Sequence, residues 1–404
     1  MGDVGDVLIG PTTDASTAAF LADPNSLSRT ALSAALAGSM LGGPTKINST
    51  QGLYARNSTH GRALSADPEV AGRIWGATSG GLSHWQAAKG ARTNTVNPTT
   101  QSLVQMEWTA THVYLVSSGN ADRLGQVWRS PKPAVPAAPV FEWTKIFDLT
   151  GGITTPSGEM DGGVNSYFRE QSFALGPDGS ACVLEYGATI KGGPSVYYSP
   201  NAASASPLWT KRQTFTDSKH GHGIKYINDG YWAMLGDAGF TNVGLWKGGQ
   251  NGAGWQRRSV YEPAQGGNSL YGINLLPCTI NGAQVILTDN DTKRGHSILM
   301  FPTQGAGNFP LIPFVNAPLP YGVGTVRSLA FTSEGNLFWV QTGEGGSAGP
   351  YDSMWLCPPP FREPVMLEAI PANNSLSTLG LVVESGDYLF VGNQRIRKEK
   401  FLGQ

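Results

Sequence analysis

Charge is what this sequence has least of. Asp, Glu, Lys and Arg make up 14% of its 404 residues, against about 25% in ordinary soluble domains. Long helices with charged faces are therefore not expected. The formal net charge of −1 removes the electrostatic basis for broad binding to nucleic acid or acidic membranes. Apolar runs are short, and none approaches the roughly 20 residues that cross a bilayer as a helix, so no membrane insertion is expected. Met1 to Gly10 carries two Asp and no Lys or Arg before its short apolar patch, which lacks the basic start of a secretory leader. The three cysteines, Cys182, Cys278 and Cys357, lie far apart without paired spacing. That argues against a zinc site or a disulfide framework and fits assembly in a reducing cytoplasm.

What the sequence has instead is turn chemistry: 53 Gly and 27 Pro, about a fifth of the chain. These punctuate a repeat. Its clearest copy runs from Phe173-Ala174-Leu175 through Asp178-Gly179 to Ala181–Tyr186, then Val196-Tyr197-Tyr198-Ser199, then Leu208-Trp209-Thr210-Lys211. It reads as four strands with an Asp-Gly hairpin turn between the first two. Comparable turns follow at Asn228-Asp229-Gly230, Asn281-Gly282, Ser333-Glu334-Gly335 and Ser385-Gly386-Asp387. Third strands, marked by Trp75, Trp128, Tyr198, Trp246, Met300 and Trp355, recur at intervals of 53, 70, 48, 54 and 55 residues. A large ring marks each fourth strand, at Trp85, Trp143, Trp209, Trp255, Phe309 and Phe361.

Six four-stranded units of this length are the signature of a β-propeller. The expected fold is thus all-β and six-bladed. A sandwich is disfavoured because its strands need not repeat in a constant internal order. The first copy, Gly72 to Ala88, reads as a third and fourth strand only, and the last, Leu376 to Val391, as a first and second. Joined, they predict five continuous blades plus one composite blade closed by N- and C-terminal strands, which hides the edges an open sheet exposes. The 70-residue interval contains Pro131 to Pro139 and Gly151 to Gly163, read as surface insertions.

Two domains follow: an assembly segment over 1–70 and the propeller over 71–404. Within the first, Asp23-Pro24-Asn25-Ser26 is a cap-like start for one short helix over Ser28 to Ala37. Such a helix is marginal alone, so Leu32 and Leu36, on one face of it, are expected to dock on a partner chain or on the propeller.

The opening, Val7-Leu8-Ile9-Gly10, Phe20-Leu21-Ala22-Asp23-Pro24-Asn25-Ser26 and Arg29-Thr30-Ala31-Leu32, resembles the N-terminal segment of minor tail proteins from tailed phages of actinobacteria. In that family a short leader and an Ala/Leu helix precede varied distal domains, propellers among them. The resemblance implies a virion tail-tip protein assembled in the host cytoplasm. Its partners would be other tail-tip proteins and a host cell-surface glycan or receptor, and self-association is compatible with it. The repeats also resemble sialidase-type blades. Ser199-Pro200-Asn201 leading to Trp209, and Thr78-Ser79-Gly80 leading to Trp85, stand where that family has its Ser-x-Asp-x-Gly-x-x-Trp hairpin. Both lack the Asp and Gly.

Inner strands of a propeller start near one mouth of the central channel, so equivalent positions converge there. Eight residues before each turn Gly stand Gln171, His222, Arg327 and Thr378; ten before stand Arg169, His220, Thr325 and Leu376. A polar mouth of Arg169, Glu170, His220, His222 and Arg327 would suit a sugar or carboxylate through charge-assisted hydrogen bonds. The bland alternative is that these groups satisfy one another and trapped water. His220-Gly221-His222 lacks a third ligand fixed beside it, so no metal is expected, and no cofactor. Asp289-Asn290-Asp291 starts like a calcium loop, but its Gly and distal Glu are misplaced. The sialidase resemblance implies three arginines for a substrate carboxylate, a Tyr–Glu nucleophile pair and an Asp acid/base. Arg169 and Arg327 would supply two arginines, with Tyr167, Glu170 and Asp161 near the same rim, while a third inner-strand Arg is missing. Binding without turnover is the expectation; a glycoside hydrolase acting on host envelope polysaccharide and a purely structural tail component are the alternatives.

Overall fold

The computed structural model describes residues 45–46, 62–78, 81–86, 92–118, 125–149, 168–186, 193–216, 218, 220–236, 244–260, 274–289, 291–292, 298–303, 309–310, 312–315, 324–342, 351–361, 364–371, 382–391 and 394–397. The helix over Ser28 to Ala37, with Leu32 and Leu36, lies outside them.

The tight turns work as their residues require. Asp178 and Gly179 have φ of 56° and 77°, Asn281 and Gly282 of 50° and 79°, and Asn228 of 59°. This left-handed region is open to Gly and tolerated by Asn and Asp. Each turn folds an inner strand back onto a second one, and six antiparallel blades of four strands follow in series, the sixth joined by the short strand Asp291–Thr292 on its inner edge. Blade one comprises Arg62–Ala66, Arg73–Thr78, Gly81–Gln86 and Arg92–Asn94. Blade two comprises Leu103–Trp108, His112–Ser117, Gln126–Pro131 and Thr144–Asp148. Blade three comprises Phe173–Leu175, Ala181–Leu184, Ser195–Ser199 and Thr210–Thr214. Blade four comprises His220–Ile227, Gly230–Gly236, Gly244–Gly249 and Gln256–Arg257. Blade five comprises Leu276–Ile280, Ala283–Asp289, Ile298–Pro302 and Ile312–Val315. Blade six comprises Gly324–Phe331, Leu337–Thr342, Tyr351–Cys357 and Val365–Pro371. The all-β propeller of six repeated units is the observed fold.

Closure by both ends of the chain is also present, but with different strands. Val383–Ser385, Tyr388–Val391 and Gln394–Arg397 form a further sheet, whose fourth strand is Thr45–Lys46. It sits between blades six and one: Ser328 Oγ of blade six accepts from Val382 N at 2.6 Å, and Ser385 Oγ donates to the Arg73 carbonyl at 3.4 Å. Residues 72–88 therefore belong to a complete blade of their own rather than to a shared one. Ile74-Trp75 lies in its second strand, not its third, and Trp85 in its third, not its fourth. The physical reason lies in the 67–72 connection, which has no Asn-Gly or Asp-Gly turn. One carboxylate closes it instead. Asp67 accepts from Glu69 N (2.8 Å), Val70 N (2.9 Å), Arg73 Nε (2.7 Å) and Trp75 Nε1 (2.6 Å), and pairs with Arg73 Nη2 at 2.6 Å. The propeller thus begins ahead of residue 71.

Blades pack face to face, so their strands are buried on both sides and read as continuous apolar runs. Alternate residues of one strand serve opposite neighbours. In blade three, Ala181 and Val183 join Tyr114, Val116, Val127 and Phe147 of blade two, while Cys182 and Leu184 join Tyr231, Ala233 and Leu235 of blade four. Trp232 and Met234, one step out of phase, face Ile286, Leu299 and Phe301 of blade five. Of the repeated rings, Trp209 and Phe361 stand just before fourth strands and pack backward. Trp209 meets Phe147 edge-on at 5.0 Å, and Phe361 approaches Phe314 of blade five at 5.7 Å.

Candidate functional site

An up-and-down blade sends its second-to-third connections, and those leading to the next blade, to one face of the disc. Arg169, Glu170 and His220 lie at that face, where inner strands begin.

The inner strands share a local irregularity. Their pairing with the second strand slips by one residue between Ala63 and Ser65, Leu103 and Gln105, Gly221 and Gly223, and Val326 and Ser328. A bulge of this kind leaves one residue unpaired and re-aims it. The skipped residues are Leu64, Val104, His222 and Arg327, so His222 and Arg327 occupy corresponding places in blades four and six. Gln171 takes the matching place in blade three, where Leu184 N donates to the Ser172 carbonyl at 2.8 Å and Gln171 bridges to Gly223 of blade four. The Arg327 side chain is not among those described.

Around the axis, amide and hydroxyl groups tie blade to blade. Gln105, 1% exposed, accepts from Phe173 N at 3.0 Å and donates to the Phe173 carbonyl at 2.7 Å. The Gln171 carbonyl accepts from Ile224 N at 2.7 Å, and its side-chain oxygen accepts from Leu275 N at 3.1 Å, joining blades three, four and five. Asn274 Nδ2 reaches the Val326 carbonyl at 3.5 Å. Much of the polarity near the channel therefore closes the ring, which is the bland reading of such groups.

Arg169, His220 and His222 do something different. Reciprocal bonds fix the Arg169 backbone: its N donates to Ser172 Oγ at 2.7 Å, and Ser172 N donates to its carbonyl at 3.2 Å. Just before it, Phe168 is 1% exposed in the core between blades two and three. The Arg169 guanidinium carbon lies 3.8 Å from the centre of the Tyr186 ring, too close for an edge-on approach, so the group covers the ring face-on. His220 stacks on the same ring at 4.0 Å with planes 13° apart. Two flat groups this close cannot share one face, so Tyr186 is sandwiched between them. His222 stands edge-on to Tyr186 at 5.6 Å and to His220 at 6.0 Å. It is fully buried, whereas Arg169, Glu170 and His220 are half-buried.

Gly221 lets the two strands approach. Its N donates to the Tyr186 carbonyl at 2.8 Å, and a Cβ there would sit 2.5 Å from the Glu185 carbonyl oxygen. Sequence spacing found Arg169, His220 and His222 but missed Tyr186, which holds them together. Its only signal is its place at the end of the second-strand run, opposite the next blade's inner strand. Tyr167 and Asp161 lie outside the described residues. No group of three or more His, Cys, Asp or Glu side chains able to hold a metal ion occurs among the described residues.

No family model and no curated protein sequence matches this chain. Solved structures match in fold. The extracellular domain of the hybrid two component system BT4673 from B. thetaiotaomicron superposes with a TM-score of 0.51 at 13% identity, over 86% of this chain and 39% of that one. Saccharomyces cerevisiae Sqt1 superposes at 0.50 and 9% identity, over 84% and 82%. The chain thus spans about two fifths of the length of the first of these, and similarity at these identities is similarity of the propeller fold.

Proposed function

We propose that this protein is a minor tail component of a tailed phage, whose propeller binds a glycan or receptor on the host surface and whose N-terminal segment docks it to the tail tip. The observation that carries the binding half is the half-buried Arg169–Tyr186–His220 sandwich at the rim where inner strands start. It holds the half-buried Arg169 and His220 on either side of a buried tyrosine, in a fold compatible with binding roles. The attachment half rests on the resemblance of residues 7–32 to the leader of such tail proteins, and Leu32 and Leu36 are its docking residues.

Adsorption of the purified full chain to actinobacterial cells, and to their fractionated envelopes, tests the reading. Saturable adsorption supports a receptor binder. Release of reducing sugar from the same envelopes would reassign the protein to glycoside hydrolysis, and neither result would leave a structural tail role.

A further inference from the structure

Among the described charged side chains at this rim, Arg169 is the one whose donors are unspent on described residues. Its guanidinium covers Tyr186 at 3.8 Å, and it makes no side-chain hydrogen bond or ion pair to any described residue. Glu170 follows it directly and Glu185 precedes Tyr186, but neither carboxylate pairs with it, and each has interactions of its own. Stacking occupies the flat face of a guanidinium and leaves its N–H donors, which lie in the plane, pointing outward. The clamp to Ser172 fixes the backbone, and the ring fixes the head, so little side-chain freedom remains to be lost when those donors engage. The second face of Tyr186 is taken by His220. The ring is therefore closed to stacking by a sugar and serves as the platform for the arginine.

We infer that Arg169, held on Tyr186, is an oxyanion subsite, and that the ligand carries a carboxylate or phosphodiester bound through the guanidinium edge. This rests on the binding role proposed above and narrows it from glycans in general to anionic polymers. Planar bidentate pairing is what an arginine offers and a lysine does not.

The experiment measures affinity of the full chain for immobilised polygalacturonate, poly(glycerol phosphate) and neutral dextran, for the parent and for Arg169→Gln, Arg169→Lys, Tyr186→Phe and Tyr186→Leu, with thermal melting in parallel. The parent should bind at least one polyanion, more weakly as salt rises, and dextran far less. The tighter polyanion identifies carboxylate or phosphodiester as the source. Arg169→Gln should weaken that binding about tenfold or more, the effect expected for one hydrogen-bonded charged contact, at unchanged melting temperature. Arg169→Lys should recover only part of it. Tyr186→Phe should bind as the parent does, and Tyr186→Leu should weaken binding although the charge remains. Equal affinity of parent and Arg169→Gln for the polyanion, or equal affinity of the parent for dextran, overturns the inference. If the parent adsorbs to envelopes but ignores both polyanions, the oxyanion subsite falls and the receptor-binding role stands. If it binds neither envelopes nor polymers, both fall.

Discussion

Single polar side chains act as fasteners in this ring. Gln105 is the clearest case, because one amide satisfies both the N–H and the carbonyl of Phe173 in the next blade. Gln105→Leu keeps the volume and removes both partners. Each buried group left unpaired costs about 1–3 kcal/mol, so the urea midpoint should fall with an unchanged slope. A midpoint equal to the parent's would mean that Phe173 finds other partners. Histidine 84 gives blade one a pH dependence. Burial, and next the neighbouring Arg73 charge, lower its pKa, with Asp67 opposing. The unfolded chain therefore takes up a proton near pH 6.5 that the folded chain resists. Stability is full above that value and is lost as pH falls through it toward the folded pKa. Chemical denaturation at pH 7 and pH 5 should show the loss, and His84→Asn should flatten it; equal slopes in the two proteins would assign the titration elsewhere.

At the scale of strands and turns, the sequence was most legible where the backbone demands a particular residue. Counting back eight positions from the turn glycines led to His222 and Arg327, the register-shift positions of two inner strands, and to Gln171, which bridges blade three to blade four just ahead of its inner strand. The count works because a hairpin of fixed turn geometry fixes the phase of what precedes it. In blade one the same count from Gly72, whose φ is 73°, reaches the register-shift residue Leu64, but the turn there has no Asn-Gly or Asp-Gly pair to mark it and is tied by the Asp67 carboxylate. Short outer strands such as Thr45–Lys46 and Arg92–Asn94 have too few residues to show a period, so both escaped notice. The rings before the fourth strands were visible, and their role is inter-blade packing. Trp209→Ala removes the edge-on contact with Phe147 and opens a gap between blades two and three. Because Trp209 is only partly buried in that core, the loss should lie toward the lower end of the about 3–5 kcal/mol measured for buried tryptophans, read as a fall in melting temperature. An unchanged melting temperature would show that the ring is dispensable.

For the molecule as a whole, the six serial blades leave a gap that the composite sheet fills. Its residues reach blade six through Val382 and Ser333, the latter donating from N and Oγ to Glu384 at 2.7 Å each, and reach blade one through Ser385. A chain ending at residue 371 should therefore expose the facing sides of blades six and one and aggregate. Gel filtration and denaturant unfolding check this, and a soluble monomer that unfolds in a single cooperative transition contradicts the closing role. That both chain ends would seal the ring was expected from two incomplete repeats, of which only the last, after blade six, is incomplete; the first is a whole blade. Which strands would meet was not legible, because the first blade's inner strand, Arg62–Ala66, has no aromatic or β-branched side chain and looks like the end of the preceding segment.

The pairing of Thr45 with Arg395 and Lys46 with Gln394 means that the strand entering the ring and the strand leaving it run side by side in opposite directions. Genetic order and spatial order are thereby uncoupled. Joining residue 397 to residue 45 requires a linker spanning little more than two residues of strand, about 7 Å, and one inter-strand gap of about 5 Å. The closed circle so formed has no first blade, and any connection between blades, such as that from Val260 to Asn274, becomes an equivalent place for a chain to begin.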